Sequence, residues 1–179
     1  PLAINMSSAN FRHPDLLAGV QRSLDESQLK PSFLVLELTE GILMQDISTT
    51  IDTLQALKTM GVSLSVDDFG TGYSSLHYLK RFPIDELKID RSFVQDIVTD
   101  PNDAAITAAI IGLAQNLKLS VVAEGVETTE QADFLLQRGC ITMQGFLFAR
   151  PMPKSDFERF MMTSLQMAQQ HKGVFMIDQ

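Results

Sequence analysis

Short apolar runs alternate with longer amphipathic segments along nearly the whole chain. Each interval between successive runs is long enough for one strand, one helix and two loops. This alternation is typical of a mostly parallel β-sheet with helices packed outside it, so the pattern predicts an α/β fold. The six runs interpreted as buried strands begin near Leu2, Phe33, Val62, Asp85, Leu119 and Cys140.

Capping residues mark where the predicted helices begin and end. Gly61 is suited to a left-handed C-terminal cap, and Pro101 stands in the first turn of another helix. Thr128 and Gln131 have the spacing of a capping box, and Gly139 is placed to close that helix. Apolar stripes and caps together predict helices within residues 14–24, 47–61, 100–117, 128–139 and 157–165.

Six strand–helix repeats favour a TIM-barrel-like (β/α)8 fold. A dinucleotide-binding sheet would place a Gly-x-Gly-x-x-Gly motif after a strand, and the sequence has none. A barrel of about eight strands usually needs more than about 200 residues. The chain has 179, so we expect the first strand or strands to be missing from it, with an open sheet as the alternative. We assign residues 1–168 to one N-terminally incomplete domain and residues 169–179 to a C-terminal tail.

The composition is that of an acidic protein without basic clusters. Lys and Arg number 14 and Asp and Glu 22, which gives a formal net charge of -8 and argues against binding to duplex nucleic acid. Cys140 is the only cysteine, so an intrachain disulfide is excluded and a reducing compartment fits. No apolar stretch reaches the ~18 residues of a transmembrane helix. We expect a cytoplasmic domain, and membrane anchoring of a longer parent protein stays open.

Polar and mostly acidic residues end nearly every predicted strand. Because the carboxyl ends of parallel barrel strands meet at one rim, we expect these side chains to converge there. Several carboxylates at one rim repel one another unless protons or divalent metal ions neutralise them. Oxygen ligands without cysteine or histidine favour Mg²⁺ or Mn²⁺ over zinc. The strand-end residues are Asn5, Glu37, Glu40, Asp67, Asp68, Lys88, Asp90, Glu124, Glu127 and Gln144.

Asp67 and Asp68 are adjacent at the end of the third predicted strand. Adjacent strand residues point to opposite faces unless the strand ends there, and Gly70 and Gly72 follow at once. Both aspartates are then free to turn toward the rim, where one bridges two metal ions and the other binds one. Two ions about 3.5–4 Å apart are the usual arrangement for phosphodiester hydrolysis. Lys88 is suited to orient the attacking water or to hold a phosphate oxygen.

Each of these residues also has a simpler interpretation. A single acidic residue at a strand end is more often a helix N-cap or a solvated charge. Asp90 and Arg91 are expected by default to form a surface ion pair, and residues 70–75 could be only a flexible turn. The metal-site hypothesis therefore depends on the number of acidic strand ends and not on any one of them.

Five separated motifs carry information beyond composition. They are Glu-Leu-Thr-Glu at 37–40, Asp-Asp-Phe-Gly-Thr-Gly-Tyr-Ser-Ser-Leu at 67–76, Leu-Lys-Ile-Asp-Arg-Ser-Phe at 87–93, Ala-Glu-Gly-Val-Glu at 123–127 and Gln-Gly-Phe at 144–146. In this order and spacing the chain strongly resembles the EAL-domain family of bacterial cyclic di-GMP phosphodiesterases, from Pro1 to about Phe160. The resemblance implies a barrel that hydrolyses cyclic di-GMP to linear pGpG at its C-terminal rim.

The resemblance also implies two bound Mg²⁺ or Mn²⁺ ions. Asn5, Glu37 and Asp67 would bind one ion. Asp67, as the bridge, would bind the second together with Asp68 and Glu124, and Glu124 is also assigned to the catalytic group.

Further roles are implied for the remaining strand-end residues. Lys88 would contact the catalytic water, and Glu127 and Gln144 would support the water and metal network. Glu40 would anchor the glycine loop from 70 to 76, which in relatives lies near a dimer interface. We therefore expect a homodimer, and an upstream sensory or diguanylate cyclase-like domain in the parent protein.

One departure from the family leaves two functions open. The Glu-Ala-Leu motif of the first barrel strand, whose glutamate binds metal in relatives, does not occur in the sequence. The chain is then either a fragment of a phosphodiesterase, which we favour because the remaining motifs are intact, or a catalytically inactive module that binds cyclic di-GMP as a receptor.

Overall fold

The computed structural model describes residues 1–72 and 76–172. The described residues divide into two compact units between Phe148 and Ala149. All six strands lie in the first unit, and the second contains one long helix. No helix among the described residues has the length and apolar content to cross a bilayer. Of the tail predicted at residues 169–179, residues 169–172 continue the last helix instead, and residues 173–179 lie outside the described residues.

The first unit is built on one all-parallel sheet whose strand order is the order of the chain. The sheet curls into a partial barrel, so the expected α/β fold with incomplete barrel closure is confirmed. Each strand begins within two residues of its predicted start. The strands are Leu2–Met6 (β1), Leu34–Thr39 (β2), Ser63–Phe69 (β3), Glu86–Ile89 (β4), Ser120–Ala123 (β5) and Thr142–Met143 (β6).

Helices connect successive strands. The five predicted helices are present, and four short ones were not predicted because one helical turn is too brief to show periodicity. A 3-10 turn at Pro31–Phe33 also precedes β2. The helices are Ser8–Phe11 (α1), Leu16–Ser27 (α2), Glu40–Leu43 (α3), Ile47–Met60 (α4), Leu76–Leu79 (α5), Arg91–Gln95 (α6), Pro101–Leu117 (α7), Thr129–Gln137 (α8) and Lys154–Lys172 (α9).

The caps explain where the predicted helices start and stop. Gly61 adopts φ 91° as the left-handed C-cap of α4. The Asp100 side chain accepts a hydrogen bond from the Asn102 amide at the start of α7. Thr128 and Gln131 form the complete capping box expected for α8. These boundaries therefore depend on hydrogen bonds and backbone conformations within a few residues of each helix end.

Alternate strand positions separate an apolar face from a polar one. Leu38, Val66 and Leu87 are fully buried in the main core, together with residues of α4 and α7 such as Leu54 and Ile111. The opposite face carries polar residues that are paired with one another across neighbouring strands. Because successive side chains of a strand point to opposite faces, these polar side chains lie on the side of the sheet away from that core. These residues are Asn5, Glu37, Ser65, Glu86 and Ser120.

Candidate active site

Lys88 lies at the centre of a group of carboxylates near the carboxyl ends of the strands. Its Nζ is 2.9 Å from Glu37 Oε1, 3.0 Å from Asp67 Oδ1 and 2.7 Å from Glu124 Oε1. The Lys88 side chain is only 6% exposed. Strands β2 and β3 and the residue after β5 each place one carboxylate around this ammonium group, so strand ends that are distant in sequence form one site.

The electrostatics of this group hold Lys88 charged. Burial by itself lowers the pKa of Lys88, but hydrogen bonds to Glu124, Glu37 and Asp67 outweigh it and raise the pKa above its usual value. Burial raises the pKa of Glu124. The neighbouring Asp67 raises this pKa further, and Lys88 lowers it only in part. One positive charge faces three negative charges, so the group carries an excess of negative charge that a divalent cation would neutralise.

Asp67 and Asp68 both reach the rim because β3 is irregular at its end. Asp68 has φ 54°, in the left-handed region, and the register with β4 shifts between Val66 and Phe69. The ligand oxygens of Asp67, Asp68 and Glu124 all lie within 4.8 Å of one another. The strand end thus turns two adjacent side chains to one side, as the sequence argument required.

Asp90 joins the acidic group from the end of β4. Although burial raises the pKa of Asp90, hydrogen bonds from the Ser92 hydroxyl and amide lower it below its usual value. Burial raises the pKa of Asp68, and the neighbouring Asp67 and Asp90 raise it further. Among the described residues Asp90 caps α6 and forms no ion pair with Arg91, so the expected surface ion pair is wrong. The Asp-x-Ser spacing, which is typical of an N-cap, was the available signal.

Asn5 completes the group from the edge strand β1. With its side-chain amide oriented to satisfy its hydrogen bonds, Asn5 donates to Glu37 Oε2 at 3.2 Å and to Asp67 Oδ2 at 3.1 Å. The register places Asn5 directly beside Glu37. The Asn5 amide therefore lies against the same two carboxylates that Lys88 contacts.

Glu40 lies behind the rim and contacts the start of the glycine loop. Its side chain accepts a hydrogen bond from the Gly70 amide at 3.3 Å, and the residue is 4% exposed. A Cβ at Gly72 would lie 3.0 Å from the Glu40 carboxylate, a closer contact than most Cβ atoms make. Residues 73–75 of the predicted loop lie outside the described residues.

Glu127 and Gln144 are exposed and border a pocket beside the carboxylate group. The pocket has a volume of about 220 Å³. Glu124 contributes to its wall, which links the pocket to the group around Lys88. The remaining lining residues are Arg91, Gln95, Gly125, Gly145 and Phe146.

The segments that carry these residues are joined through their backbones. The Val126 amide donates to the Gln144 carbonyl at 3.0 Å, and the Leu147 amide donates to the Val126 carbonyl at 3.0 Å. Gly125 has φ 69°, and a Cβ there would overlap the Arg91 side chain. A Cβ on Gly145 would overlap the Val126 backbone. The residues after β5 and those after β6 are therefore both hydrogen-bonded and closely packed against each other.

The donor set fits divalent Mg²⁺ or Mn²⁺. Its members are carboxylate and amide oxygens without a sulfur or imidazole ligand, which is the chemistry that these hard cations prefer. The uncompensated negative charge around Lys88 supports the same assignment. The residues that would hold metal ions are Asn5, Glu37, Asp67, Asp68 and Glu124.

Comparison with known families and proteins gives a consistent result. The family model described as EAL domain matches residues 1–151. The bifunctional diguanylate cyclase/cyclic di-GMP phosphodiesterase MucR of Pseudomonas aeruginosa is 50% identical over 152 residues, which are 85% of this chain and 22% of that protein. The cyclic di-GMP phosphodiesterase NbdA of the same organism is 49% identical over 160 residues, 89% of this chain and 20% of that protein. The chain thus spans about a fifth of these relatives.

Solved structures match the same region. PaMucR phosphodiesterase in complex with c-di-GMP superposes with a TM-score of 0.84 at 49% identity, covering 87% of this chain and 63% of that one. Klebsiella pneumoniae BlrP1, in a manganese/cy-diGMP complex, gives a TM-score of 0.77 at 38% identity, covering 84% of this chain and 38% of that one.

Proposed function

Because the chain belongs to the EAL domain family, we propose that it is the catalytic part of a cyclic di-GMP phosphodiesterase that produces linear pGpG. The observation that carries this proposal is the contact of Lys88 with three carboxylates beside Asp68 at the rim of the partial barrel. Complexes of relatives with c-di-GMP, one of them with manganese, support the substrate and the metal. We propose that this domain comprises residues 1–168.

The metal ligands are proposed from the donor set. Asn5, Glu37 and Asp67 would hold one Mg²⁺ or Mn²⁺ ion, and Asp67, Asp68 and Glu124 would hold a second. Bound at these residues, the ions supply Lewis acidity to the phosphate and lower the pKa of water. The in-line displacement forms a bond from water oxygen to phosphorus and breaks one P–O3′ bond. The product therefore carries a 5′-phosphate and a protonated 3′-hydroxyl.

The chain's own residues position the reactants in this proposal. Lys88 contacts the attacking water and, as a fixed charge, stabilises the developing negative charge. Glu127 and Gln144, at the adjoining pocket, hold water and support the ligand network. Glu40 keeps the glycine loop in place through the Gly70 amide.

The proposal extends to partners and location. We propose that the chain acts as a homodimer in the cytoplasm, within a longer protein that carries an upstream sensory or diguanylate cyclase-like domain. The upstream domain has the support that the chain spans about a fifth of a relative named as a bifunctional diguanylate cyclase and phosphodiesterase.

A receptor that binds cyclic di-GMP without hydrolysing it is the second candidate. One observation favours it: the sequence contains no Glu-Ala-Leu tripeptide, whose glutamate is a metal ligand in the family. In a receptor the same rim would bind the dinucleotide and leave it intact.

The test is a turnover assay of cyclic di-GMP with Mg²⁺ or Mn²⁺, on this chain and on the chain extended upstream in its parent protein. We expect pGpG from the extended protein and loss of turnover in its Asp67→Asn and Glu124→Gln variants. Glu26→Gln, an exposed change on α2, is the matched control and should keep turnover. Binding without any pGpG would establish the receptor, and full activity of Asp67→Asn would contradict the site.

A further inference from the structure

Gln131 is a buried polar residue whose side chain joins three parts of the structure. It lies in the first turn of α8 and is 5% exposed. Its Oε1 accepts hydrogen bonds from the Glu127 amide at 2.7 Å and the Thr128 amide at 3.0 Å. Its Nε2 donates to the Gln95 carbonyl at 2.9 Å. Every one of these partners is a backbone group, so the side chain acts as a tie between chain segments.

The capping box of α8 accounts for only part of this arrangement. A capping box needs the bond from the N-cap amide to the residue in the third position and the return bond to the N-cap side chain. Thr128 supplies both of these groups. The bonds from the Glu127 amide and to the Gln95 carbonyl lie outside the box. They connect the segment after β5 to the last residue of α6, which is 36 residues away from Gln131 in the chain.

The second contact between these segments lies at the other end of α6. Gly125 packs against Arg91, the first residue of α6, so closely that no Cβ fits. Helix α6 follows directly after β4, the strand that carries Lys88. The segment 124–128 is therefore held at two points on a helix that is continuous with the Lys88 strand.

We propose that Gln131 is a positioning residue that sets the distance between the segment bearing Glu124 and Glu127 and the strand bearing Lys88. This inference rests on the proposed function, because it assigns a role within that site. The Gln131 side chain itself touches backbone only, and acts through the Glu127 amide and the α6 carbonyl. Loss of residues that orient a metal site typically costs about 10- to 100-fold in activity or metal affinity.

Three variants separate positioning from helix capping. Gln131→Met keeps the approximate volume and removes all three bonds. Thr128→Ala removes the capping hydroxyl and leaves the Gln131 bonds to Glu127 and Gln95. Gln137→Met makes the same substitution on an exposed position of the same helix and serves as the matched control. Each variant is made in the upstream-extended protein, and its unfolding midpoint is measured with its kinetics.

We expect Gln131→Met to lower kcat about 10- to 100-fold with little change in KM, while Thr128→Ala and Gln137→Met stay near the wild-type kcat. Equal losses of kcat in Gln131→Met and Thr128→Ala, in step with their losses of stability, would overturn the proposal in favour of capping alone.

A second measurement does not depend on turnover. In ¹H–¹⁵N NMR spectra of this chain, titrated with Mg²⁺, the Gly125 and Glu127 amides should shift in the wild type and shift less, at a weaker apparent affinity, in Gln131→Met. Unchanged Mg²⁺ shifts in that variant overturn the proposal. If the wild-type protein shows Mg²⁺ shifts but produces no pGpG, the proposed enzyme is contradicted. The role of Gln131 is then decided by the titration alone: weaker shifts in Gln131→Met support it, and unchanged shifts overturn it.

Discussion

At the scale of single residues, the site is dominated by charge balance at Lys88. The Lys88 side chain is only 6% exposed, and its ammonium group faces three carboxylates. Removing one partner of a buried charged group leaves the others uncompensated, which costs far more than the loss of an exposed pair. The same arrangement that serves the proposed chemistry therefore also governs the stability of this part of the fold.

Substitution of Lys88 by methionine should destabilise the metal-free protein by about 3–5 kcal/mol, because Glu37, Asp67 and Glu124 lose the cation that all three contact. Denaturant unfolding in the presence of a chelator measures this loss, and added Mn²⁺ should restore part of it. Lys58→Met is the matched control. Lys58 pairs with Asp85 at 2.7 Å in a partly exposed position, so its loss should cost about 1 kcal/mol and should not respond to Mn²⁺. An equal response of the two variants to metal would contradict the assignment.

Metal affinity should depend on pH through Glu124 and Asp68. Burial, first of all, raises the pKa of both carboxyl groups above their usual values. Because its pKa is raised, each carboxyl group keeps its proton up to a higher pH than usual. A metal ion must displace this proton, so the affinity for Mn²⁺ falls as the pH falls. At pH values below the pKa of a group, the expected slope is about tenfold per pH unit for each displaced proton. Titration calorimetry in buffers of different ionisation enthalpy counts the released protons, and Glu124→Gln should release fewer. An affinity independent of pH would refute this prediction.

At the scale of elements, strand ends and close glycine contacts bring the functional residues together. The end of β3 departs from regular pairing at Asp68, which turns adjacent aspartates to one side. The segments after β5 and β6 are joined at Gly145 and Val126 by both packing and hydrogen bonds. These contacts give the rim its shape, and each requires a small residue or an irregular backbone at one position.

Gly145→Ala tests the contact between the segments after β5 and β6. The added Cβ would overlap the Val126 backbone, so the two segments must separate, which should cost about 1–3 kcal/mol and displace Gln144 from the pocket. Thermal unfolding and turnover measure the two effects. The control is Gly112→Ala within α7, where no heavy atom lies near the new Cβ, and which should stabilise by up to about 1 kcal/mol. Wild-type stability in Gly145→Ala would show that the contact is looser than described.

At the scale of the whole molecule, the sheet of the first unit has two edges. In the described residues β1 pairs only with β2, and β6 pairs only with β5. Leu2 and Ile4 are exposed on β1 at 53% and 44%. The proposed ligand Asn5 therefore lies on the strand with the fewest contacts of those that build the metal site.

Amide hydrogen exchange should show that protection is lower in the edge strand β1 than in the middle of the sheet. Amides of β1 should exchange fastest among the four strands β1–β4, and those of β3, which is paired on both sides and buried, should exchange slowest. Mass spectrometry of this chain and of the upstream-extended protein makes the comparison. Greater protection of β1 in the extended protein is expected. Equal protection of β1 and β3 in this chain would contradict the expected gradient.

The sequence by itself determined the repeating plan of the fold. Apolar runs separated by amphipathic segments located all six strands, and the caps at Gly61, Asp100 and Thr128 marked helix ends, because these signals depend on neighbours within a few residues. The acidic strand ends followed from the same plan, since parallel strands end on one rim. Short helices such as α3 and α6 escaped prediction because they form only where tertiary contacts stabilise them.

Only the tertiary structure decided which of these residues meet. The contacts of Lys88 with Glu37, Asp67 and Glu124 require strand register and sheet curvature, which no local pattern encodes. Gln131 was recognisable as a capping residue, yet its bond to the Gln95 carbonyl joins segments far apart in the chain. The physical reason is the same in both cases. Local sequence sets backbone conformation, whereas the distance between two side chains depends on how complete elements pack.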